Sequence, residues 1–179
     1  MRVVSGELGG RRLVTPDGDD TRPTSERVRE AIFNSLFSLD AIDDARVLDA
    51  FAGSGALGIE ALSRGASHAT FVESGRDALA AVRENVATLG LEARSRVAPG
   101  DALAHLQRGD AYDLVLLDPP YGFDAWPELL AAVPDGAVVV IESGREVPVP
   151  DSWVVHRLKH YGSTVVTLAT ATAASEGAP

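Results

Sequence analysis

From residue 46 onward, short apolar runs alternate with stretches that have the periodicity of a helix. The apolar runs predict strands at 47–52, 69–73, 94–98, 112–118 and 137–142. The stretches between them predict helices at 56–63, 76–89, 101–107 and 125–132. Strand and helix alternation of this kind is typical of a parallel sheet that is covered by helices on both faces. The chain is therefore expected to fold as an α/β protein.

The sheet is expected to end in an antiparallel strand. Two further apolar runs, 153–161 and 164–170, are separated only by Gly162 and Ser163. A two-residue connection that contains glycine is typical of a β-hairpin, whose strands are antiparallel. Small and polar residues follow, and we expect this last segment to be frayed.

The chain before residue 46 predicts a hairpin, a loop and a helix. Residues 2–14 show a strand, turn and strand pattern with glycines at the turn, and residues 15–23 form a polar loop with two prolines. We expect this hairpin to be exposed and to contribute little to the core. Thr24 is expected to cap a helix over 24–38. The chain is thus expected to contain an N-terminal extension at 1–23, a domain at 24–170 and a tail at 171–179.

Composition narrows the class of protein. The chain has 179 residues, of which 45% are hydrophobic and 23% are charged, as is typical of a globular domain with a full core. It contains no cysteine, which excludes disulfides, thiolate metal sites and a cysteine nucleophile. No apolar run suits a signal peptide or a membrane span. We expect a cytoplasmic monomer without a metal or a membrane partner. Its histidines are expected at the surface: His68, His105, His156 and His160.

Charge is distributed unevenly along the chain, whose formal net charge is −10. Residues 1–29 contain six arginines and five acidic residues, whereas the remaining residues contain ten basic and 21 acidic ones. A uniformly acidic surface repels nucleic acid. A polyanion is therefore expected to dock on the N-terminal segment. Arg11 and Arg12 are the candidates, because arginine binds phosphates and stacks on bases, and adjacent strand residues point to opposite faces.

A glycine-rich loop joins the first predicted strand to the helix that follows it. Gly53, Gly55 and Gly58 form a GxGxxG pattern in that position. Glycine permits a tight turn there and lets a ligand approach the backbone. Glu73 ends the next predicted strand, 20 residues after Gly53, where a carboxylate can accept both ribose hydroxyls of an adenosyl group. The pattern predicts a cofactor that contains a nucleoside.

Two cofactor classes fit this loop, a dinucleotide and S-adenosylmethionine. Asp49 stands four residues before the first glycine. An acidic group there suits a ligand with an ammonium and a sulfonium group and fits poorly beside a pyrophosphate, so Asp49 favours S-adenosylmethionine. Asp101 follows the third predicted strand and can reach an adenine amino group, cap the next helix, or do both.

The fourth predicted strand runs into Asp118, Pro119, Pro120 and Tyr121. Two prolines fix the backbone and remove two N–H donors, which leaves the carbonyl of Pro119 free to point outward. This carbonyl and the Asp118 carboxylate are two acceptors for one planar NH₂ group, and Tyr121 offers a flat face to a base. Two such acceptors can turn the lone pair of an exocyclic amine toward a sulfonium methyl group, and Asp118 can take the departing proton. The motif predicts methyl transfer to an amine. Trp126 follows it and either flanks the substrate or anchors a helix.

From residue 1 to about residue 168, the chain resembles the bacterial 16S ribosomal RNA guanine-N2 methyltransferases of the RsmD type. The most specific marks are the hairpin with GGRRL and the segment TRPTSERVREAIFN, since glycine loops and DPPY occur in many methyltransferases. The resemblance implies a class I, Rossmann-like methyltransferase fold: a seven-stranded, mostly parallel sheet with one antiparallel strand, and an N-terminal β-hairpin. It also implies S-adenosylmethionine as donor, and as acceptor the N2 amine of one guanine in 16S ribosomal RNA or the small ribosomal subunit.

Carried over by position, the resemblance implies two groups of site residues. The cofactor site is implied to contain Asp49, Gly53, Gly55, Glu73 and Asp101, with Arg22 and Thr24 near the methionine end. The target-base site is implied to contain the catalytic residues Asp118, Pro119 and Tyr121. Because the body of the chain is acidic, RNA affinity is expected to be concentrated near the hairpin, at Arg11 and Arg12.

Three other functions are compatible with parts of the sequence. A DNA amino-methyltransferase uses a related tetrapeptide, but only 63 residues separate Gly55 from Asp118, which leaves no separate DNA-reading domain there. Methylation of a protein glutamine or a small amine gives the N-terminal arginines no role. A non-catalytic RNA-binding assembly factor is disfavoured because the DPPY motif and the Asp49–Glu73 pair are intact.

Overall fold

The computed structural model describes residues 1–16 and 25–173 of the protein. The strands are β1 (Arg46–Asp49), β2 (His68–Glu73), β3 (Ser95–Pro99), β4 (Leu114–Leu117), β5 (Val138–Ser143), β6 (Val154–Tyr161) and β7 (Thr164–Thr170). The helices are α1 (Glu26–Ser38), α2 (Ala56–Ser63), α3 (Arg76–Thr88), α4 (Ala102–Leu106) and α5 (Trp126–Ala131), and a 3₁₀ turn (Glu92–Arg94) precedes β3. The strands form one seven-stranded sheet in the order β3-β2-β1-β4-β5-β7-β6.

The sheet has the predicted mixture of strand directions. Strands β1 to β5 are parallel, and β7 is antiparallel to both of its neighbours, which confirms the predicted α/β fold and the hairpin of β6 and β7. The last strand along the chain, β7, is the antiparallel one, as predicted, although in space β6 forms the edge of the sheet and β7 lies inside it. Burial explains the order. The five residues 165–169 of β7 are all buried, whereas seven of the eight residues of β6 are exposed.

Helices cover both faces of the sheet and enclose two apolar clusters. One cluster joins the sheet to α1, α2 and α3, and the other joins it to α4 and α5. Successive strand residues serve opposite clusters: Val47 belongs to the first and Leu48 to the second, and both are fully buried. This alternation is what a strand covered on both faces requires, and it explains why the predicted strands are continuous apolar runs.

The predicted boundaries differ from the observed ones by a few residues. The prediction that a helix begins at residue 24 is wrong, because α1 begins at Glu26 and its cap is Ser25, whose side chain accepts a hydrogen bond from the Val28 N–H at 3.3 Å. Thr24 and Ser25 are neighbours in the sequence, and both are residue types that cap helices well. Thr24 itself lies outside the described residues. The first strand ends at Asp49, three residues earlier than predicted, because the chain then turns into the glycine loop.

The N-terminal hairpin, residues 2–14, is present but differs from the prediction in two respects. Its backbone pairing is short: Arg2 and Arg12 form a single bridge, flanked by a bond from the Val3 N–H to the Arg11 carbonyl at 2.9 Å. Val3 and Leu13 are buried in the cluster beneath α1, α2 and α3. Most residues of the hairpin are exposed, as expected, but the expectation that it contributes little to the core is wrong.

Polar side chains of α2 hold this hairpin in place. The buried carboxylate of Glu60 accepts hydrogen bonds from the N–H groups of Val4 and Ser5 at 2.7 and 3.0 Å. The Ser63 carbonyl accepts one from the Glu7 N–H at 2.8 Å. Gly6, at φ +83°, lies so close that a Cβ on it would come within 1.9 Å of the Ser63 carbonyl oxygen. Only glycine fits this contact, which explains one of the turn glycines.

The described residues bear on several smaller expectations. None of the described helices is both long and apolar enough to cross a lipid bilayer. Residues 1–16 and 25–173 contain no group of three or more acidic or histidine side chains arranged for a metal ion. The surface position predicted for His105 is wrong: it is buried, and its Nε2 lies 2.9 Å from the hydroxyl of Tyr112. Ala171 and Thr172 are bonded to Ala137 and Ser152, so fraying does not begin at residue 171.

Candidate active site

Two cavities open at the carboxyl ends of the parallel strands. The larger has a volume of about 500 Å³ and the smaller of about 290 Å³. They share a wall formed by residues 118–121, which follow β4, and by Phe123. The carboxyl edge of a parallel sheet is where α/β proteins bind their ligands. Seven of the twelve sequence-predicted site residues line one or both of these cavities.

The glycine loop lies at the larger cavity and needs its glycines. Gly53 and Gly55 have φ angles of +54° and +82°, in the left-handed region that favours glycine. A Cβ on Gly55 would come within 2.7 Å of Cγ2 of Val82 in α3, so this glycine also lets α3 pack against the loop. The N–H of Gly53 donates to Oε2 of Glu73 at 2.8 Å. The predicted pair of loop and acid is therefore in direct contact.

Glu73 is held by three backbone donors. Besides the bond from Gly53, its Oε1 accepts hydrogen bonds from the N–H groups of Ser74 and Gly75 at 2.8 and 2.7 Å. A carboxylate offers about four acceptor sites, so three of these bonds leave room for about one more. Glu73 lines the larger cavity, and its contact with two ribose hydroxyls stays a prediction that requires one backbone bond to be shared or released.

Asp49 is a buried carboxyl group at the wall of the larger cavity. Its Oδ2 accepts a hydrogen bond from the Gly58 N–H at 2.9 Å, and this bond favours the ionised form of the carboxyl group. Burial raises the pKa of Asp49 to about 7, the Gly58 bond lowers it, and the charges of Asp118 and Glu73 add to the increase. A cationic ligand in this cavity would favour the ionised form of Asp49.

Asp101 lines the larger cavity and caps α4. Its Oδ1 accepts a hydrogen bond from the Ala104 N–H at 2.8 Å, which confirms the capping role that the sequence allowed. The contact of this carboxylate with an adenine amino group stays a prediction.

The 118–121 loop places its acid and its tyrosine differently. Asp118 is half-buried and Pro119 is buried, whereas Tyr121 is 61% exposed at the shared wall. Gly144, after β5, explains how the tyrosine ring fits: a Cβ on Gly144 would lie 3.0 Å from Cε1 of Tyr121. Gly144 was not predicted, because the contact joins loops that are far apart in sequence.

Aromatic rings line both cavities beside this loop. Phe51 contacts Phe123 edge-to-face at a centroid distance of 5.5 Å, and Phe123 contacts Trp126 in the same way at 5.1 Å. Trp126 is buried, anchors α5 and lines the smaller cavity, so both of its predicted roles are compatible with the structure. Phe51 and Phe123 were not predicted. Their nearness in sequence to the glycine loop and to DPPY was the available signal.

The N-terminal chain supplies a further wall of the larger cavity that sequence reasoning missed. Met1, Thr15 and Pro16 line it. Buried Asn85 fastens this wall to the glycine loop, since its Nδ2 donates to the carbonyls of Val14 and Ser54 at 2.9 and 2.8 Å and its Oδ1 accepts from the Val14 N–H at 2.8 Å. A polar residue on the apolar face of α3 was the signal in the sequence.

Other predicted site residues lie away from the cavities or outside the description. Arg22 and Thr24 lie outside the described residues. Arg11 and Arg12 are exposed, and Nη2 of Arg11 lies 3.5 Å from the carbonyl of Thr88 at the end of α3. Their contact with RNA stays a prediction.

A buried arginine also lines the larger cavity. Arg29 of α1 donates through Nη2 to the Arg2 carbonyl, and its Nε lies 3.6 Å from Oε2 of Glu60. Burial lowers the pKa of Arg29, and the carboxylate of Glu60 opposes that shift. The pair therefore stabilises the N-terminal hairpin from beneath.

Comparison with known proteins gives consistent matches over nearly the whole chain. The family model described as Conserved hypothetical protein 95 matches residues 1–170. The chain is 39% identical over 178 residues to the ribosomal RNA small subunit methyltransferase D of Escherichia coli K12, covering 94% of this chain and 88% of that one. It is 38% identical over 181 residues to the putative rRNA methyltransferase YlbH of Bacillus subtilis, covering 94% and 97%. A solved structure, a putative methyltransferase from Escherichia coli, has 38% identity and a TM-score of 0.85, with 97% of this chain and 99% of that chain covered.

Proposed function

The chain belongs to the RsmD family, and from that premise we propose that it methylates the N2 amine of a guanine in 16S ribosomal RNA with S-adenosylmethionine as the donor. Its seven-stranded sheet has the class I methyltransferase fold that the resemblance implied. Relatives over most of its length are named ribosomal RNA methyltransferases, which supports RNA methylation as the general activity. The guanine N2 position and the donor are the finer parts of the proposal.

One observation carries the proposal: two cavities meet at a single wall that contains Asp118, Pro119 and Tyr121. A methyl transferase must hold a donor and an acceptor next to each other and exclude other nucleophiles. A cavity of about 500 Å³ beside the glycine loop is suited to the donor, and one of about 290 Å³ beside aromatic rings is suited to a single base.

The donor set of the larger cavity fits S-adenosylmethionine. When bound, this cofactor supplies an activated methyl group on a positively charged sulfur. Asp49 offers a buried carboxylate to a cation, and Glu73 offers acceptors to hydroxyl groups. Phe51 offers a ring to an adenine or a thioether. The same set suits a dinucleotide poorly, because its carboxylates repel a pyrophosphate.

The acceptor amine is held by the shared wall. The Asp118 carboxylate accepts a hydrogen bond from the guanine NH₂ group, and Tyr121 and Trp126 confine the ring. The amine loses one proton when it gains a methyl group, and Asp118 is the group at the wall that takes this proton, directly or through water. A guanine reaches such a cavity only when it is unstacked from its neighbours.

The test is transfer of labelled methyl groups to alternative acceptors. Purified protein is incubated with methyl-labelled S-adenosylmethionine and deproteinised 16S ribosomal RNA, assembled small subunits, duplex DNA or a protein extract. The proposal predicts label in ribosomal RNA. Label only in DNA or protein would support one of the rival methyltransferases. Binding of RNA without any transfer would support a non-catalytic assembly factor.

A further inference from the structure

The proposed substrate is a polyanion, whereas the part of the chain that forms most of the sheet and of the cavities is rich in acidic residues. Residues 30–151 contain eight basic and 20 acidic residues. Arg11 does not supply this attraction, since it lies against the carbonyl of Thr88 at the end of α3, whereas the smaller cavity is lined by residues that follow β4 and β5. An acidic surface repels RNA, so an attractive surface closer to the smaller cavity is needed to hold the nucleotide that enters it.

Strand β6 has the charge that the rest of the body lacks. Seven of its eight residues are exposed at the edge of the sheet, and they include His156, Arg157, Lys159 and His160. No Asp or Glu stands between Asp151 and Glu176 in the sequence. We call the exposed side chains of His156, Arg157, Lys159 and His160 the β6 surface.

The β6 surface ends beside the smaller cavity. Strand β6 is antiparallel to β7, which is antiparallel to β5, so β6 and β5 point the same way and both end at the edge where the cavities open. Its last residue, Tyr161, pairs with Thr164, which lines the smaller cavity. Nζ of Lys159 lies 5.2 Å from the centre of the Tyr161 ring, at that end of the strand.

The arginine and the lysine of this surface are available to a ligand, whereas His160 is engaged by an acidic residue, since its Nε2 lies 3.0 Å from Oε1 of Glu146. Nη1 of Arg157 donates to the neutral hydroxyl of Ser35 at 2.9 Å, and Lys159 contacts a neutral ring. Within residues 1–16 and 25–173, the ion pairs of arginine and lysine side chains involve Arg2, Arg29, Arg64 and Arg94, and neither Arg157 nor Lys159. Arg145, at the rim of the smaller cavity, extends the positive charge toward Tyr121.

We propose that the β6 surface binds RNA phosphates next to the nucleotide whose base enters the smaller cavity. The inference rests on the proposed function, because it takes RNA as the substrate. Arginine and lysine on one strand edge match the charge of a phosphate backbone and require no particular base sequence. The surface thus holds the flanking chain while the 118–121 loop holds the base.

An edge strand can also pair with the same strand in a second copy of the chain. Charged side chains on an edge also prevent strand-to-strand association, and Lys159 and Arg157 have the residue types that do so. Charge complementarity favours RNA, since two copies that pair through β6 would bring like charges together. The two occupants give different results in one experiment.

The experiment measures the affinity of deproteinised 16S ribosomal RNA over a salt series. The test variant is Arg157→Gln with Lys159→Gln. The matched control is Arg83→Gln with Arg96→Gln, which removes the same charge from exposed positions on α3 and on the opposite edge strand, β3. Each lost phosphate contact lowers the log–log salt slope by about 0.7–0.9, so the test variant is expected to lose about 1.4–1.8. The ratio of the RNA affinity of the natural protein to that of the test variant is therefore expected to fall about 7- to 12-fold when the salt concentration is raised fourfold.

The control variant is expected to keep the slope of the natural protein. Both variants are expected to keep the affinity for S-adenosylmethionine and the melting temperature. Equal slopes in the two variants would overturn the inference. An unchanged slope together with concentration-dependent association of the test variant alone would show that these charges keep the edge strands of two copies apart and do not bind RNA. If the natural protein methylates neither this RNA nor the assembled small subunit, the proposed function itself fails. If it methylates either of them and the test variant behaves the same as the natural protein, only the role of β6 is wrong.

Discussion

Each of the two hairpins contributes residues to the wall of one cavity, and the two hairpins are held in place by different contacts. The N-terminal hairpin lines the larger cavity, has a single bridge and is held by buried polar side chains such as Glu60 and Asn85. The C-terminal hairpin, β6 and β7, contributes Thr164 to the smaller cavity and is held by an antiparallel backbone ladder with one register shift, between Val155 and Arg157. The first is therefore part of the core, whereas the edge strand of the second is free to meet a partner.

The two cavities also differ in the chemistry of the side chains that line them. The larger is lined by four carboxylates, those of Asp49, Glu73, Asp101 and Asp118, and suits a cationic donor. The smaller is lined by the carboxylates of Asp118 and Glu142 as well as by Tyr121 and Trp126, has Arg145 at its rim and adjoins the cations of β6. If this contrast is correct, substitutions in one wall should change donor affinity and substitutions in the other should change turnover or RNA affinity.

The largest effect is expected at the shared wall. Asp118→Ala should lower turnover about 10²- to 10⁴-fold, the range that general acid–base groups contribute, and should leave the affinity for S-adenosylmethionine nearly unchanged. Single-turnover kinetics and calorimetry measure the two quantities separately. Loss of donor affinity with an unchanged rate at saturation would show that Asp118 belongs to the larger cavity only. Asp124→Ala, an exposed acid after the loop, is the matched control.

Asp49→Asn should separate donor binding from stability. Its pKa of about 7 lies above the ordinary 3.8, so the folded protein holds this proton more tightly and loses stability as the pH rises from about 4 to 7. The variant should bind S-adenosylmethionine poorly and yet, without ligand, melt higher than the natural protein at pH 8. The gain is about 2–4 °C for each 1 kcal/mol of relief.

The pH dependence of donor binding has the opposite sign to that of stability. Donor affinity of the natural protein should fall about tenfold per pH unit below 7, because the cation then competes with a proton on Asp49. Calorimetry from pH 5 to pH 8 checks this, with exposed Asp110→Asn as the control. An affinity that does not change over this range would remove Asp49 from the donor site.

Glu73→Ala should weaken donor binding by about 1–3 kcal/mol, or about 5- to 150-fold. Glu73 also holds the backbone of Gly53, Ser74 and Gly75, so the ribose contact needs its own test. An analogue without ribose hydroxyls should bind the natural protein more weakly than S-adenosylmethionine does, and this difference should vanish in the variant. Persistence of the full difference would place the ribose elsewhere. Glu92→Ala serves as the control for lost charge.

The smallest effect is expected at the N-terminal arginines. Arg11→Ala with Arg12→Ala should lower the salt slope of RNA binding by no more than about 0.7–0.9 for each phosphate contact, and by less than the Arg157 and Lys159 pair does. Both side chains are exposed, so the melting temperature should remain the same. A larger loss than that of the β6 variant would make this hairpin the main docking surface and would reverse the comparison.

Sequence periodicity was sufficient to predict most of the fold, because each strand and helix has its own pattern of apolar residues within a short segment of the chain. The continuous apolar run at 164–170 predicted a strand, yet its place inside the sheet depended on the contrast with the exposed, charged residues of β6. Spacing likewise brought Glu73 to Gly53, since both follow adjacent parallel strands. Such features can be predicted from a sequence because a repeating pattern of apolar residues or a short connection between two elements determines them.

Contacts between distant polar residues could not be predicted in this way. Glu60 binds Val4 across 56 residues, and Asn85 binds Val14 across 71. His105 is buried because the Tyr112 hydroxyl gives it a partner, and nothing in its own segment shows this. In each case an interior position is tolerated only when a hydrogen-bond partner is present, and that partner is set by the fold.

The most direct test of the central claim is the identity of the methylated nucleoside. Ribosomal RNA treated with the natural protein and S-adenosylmethionine is digested to nucleosides and analysed by mass spectrometry, with Asp118→Ala as the paired sample. N2-methylguanosine is expected with the natural protein and almost none with the variant, although both bind the donor. A methyl group on another nucleoside, or equal amounts of product from both proteins, would contradict this claim.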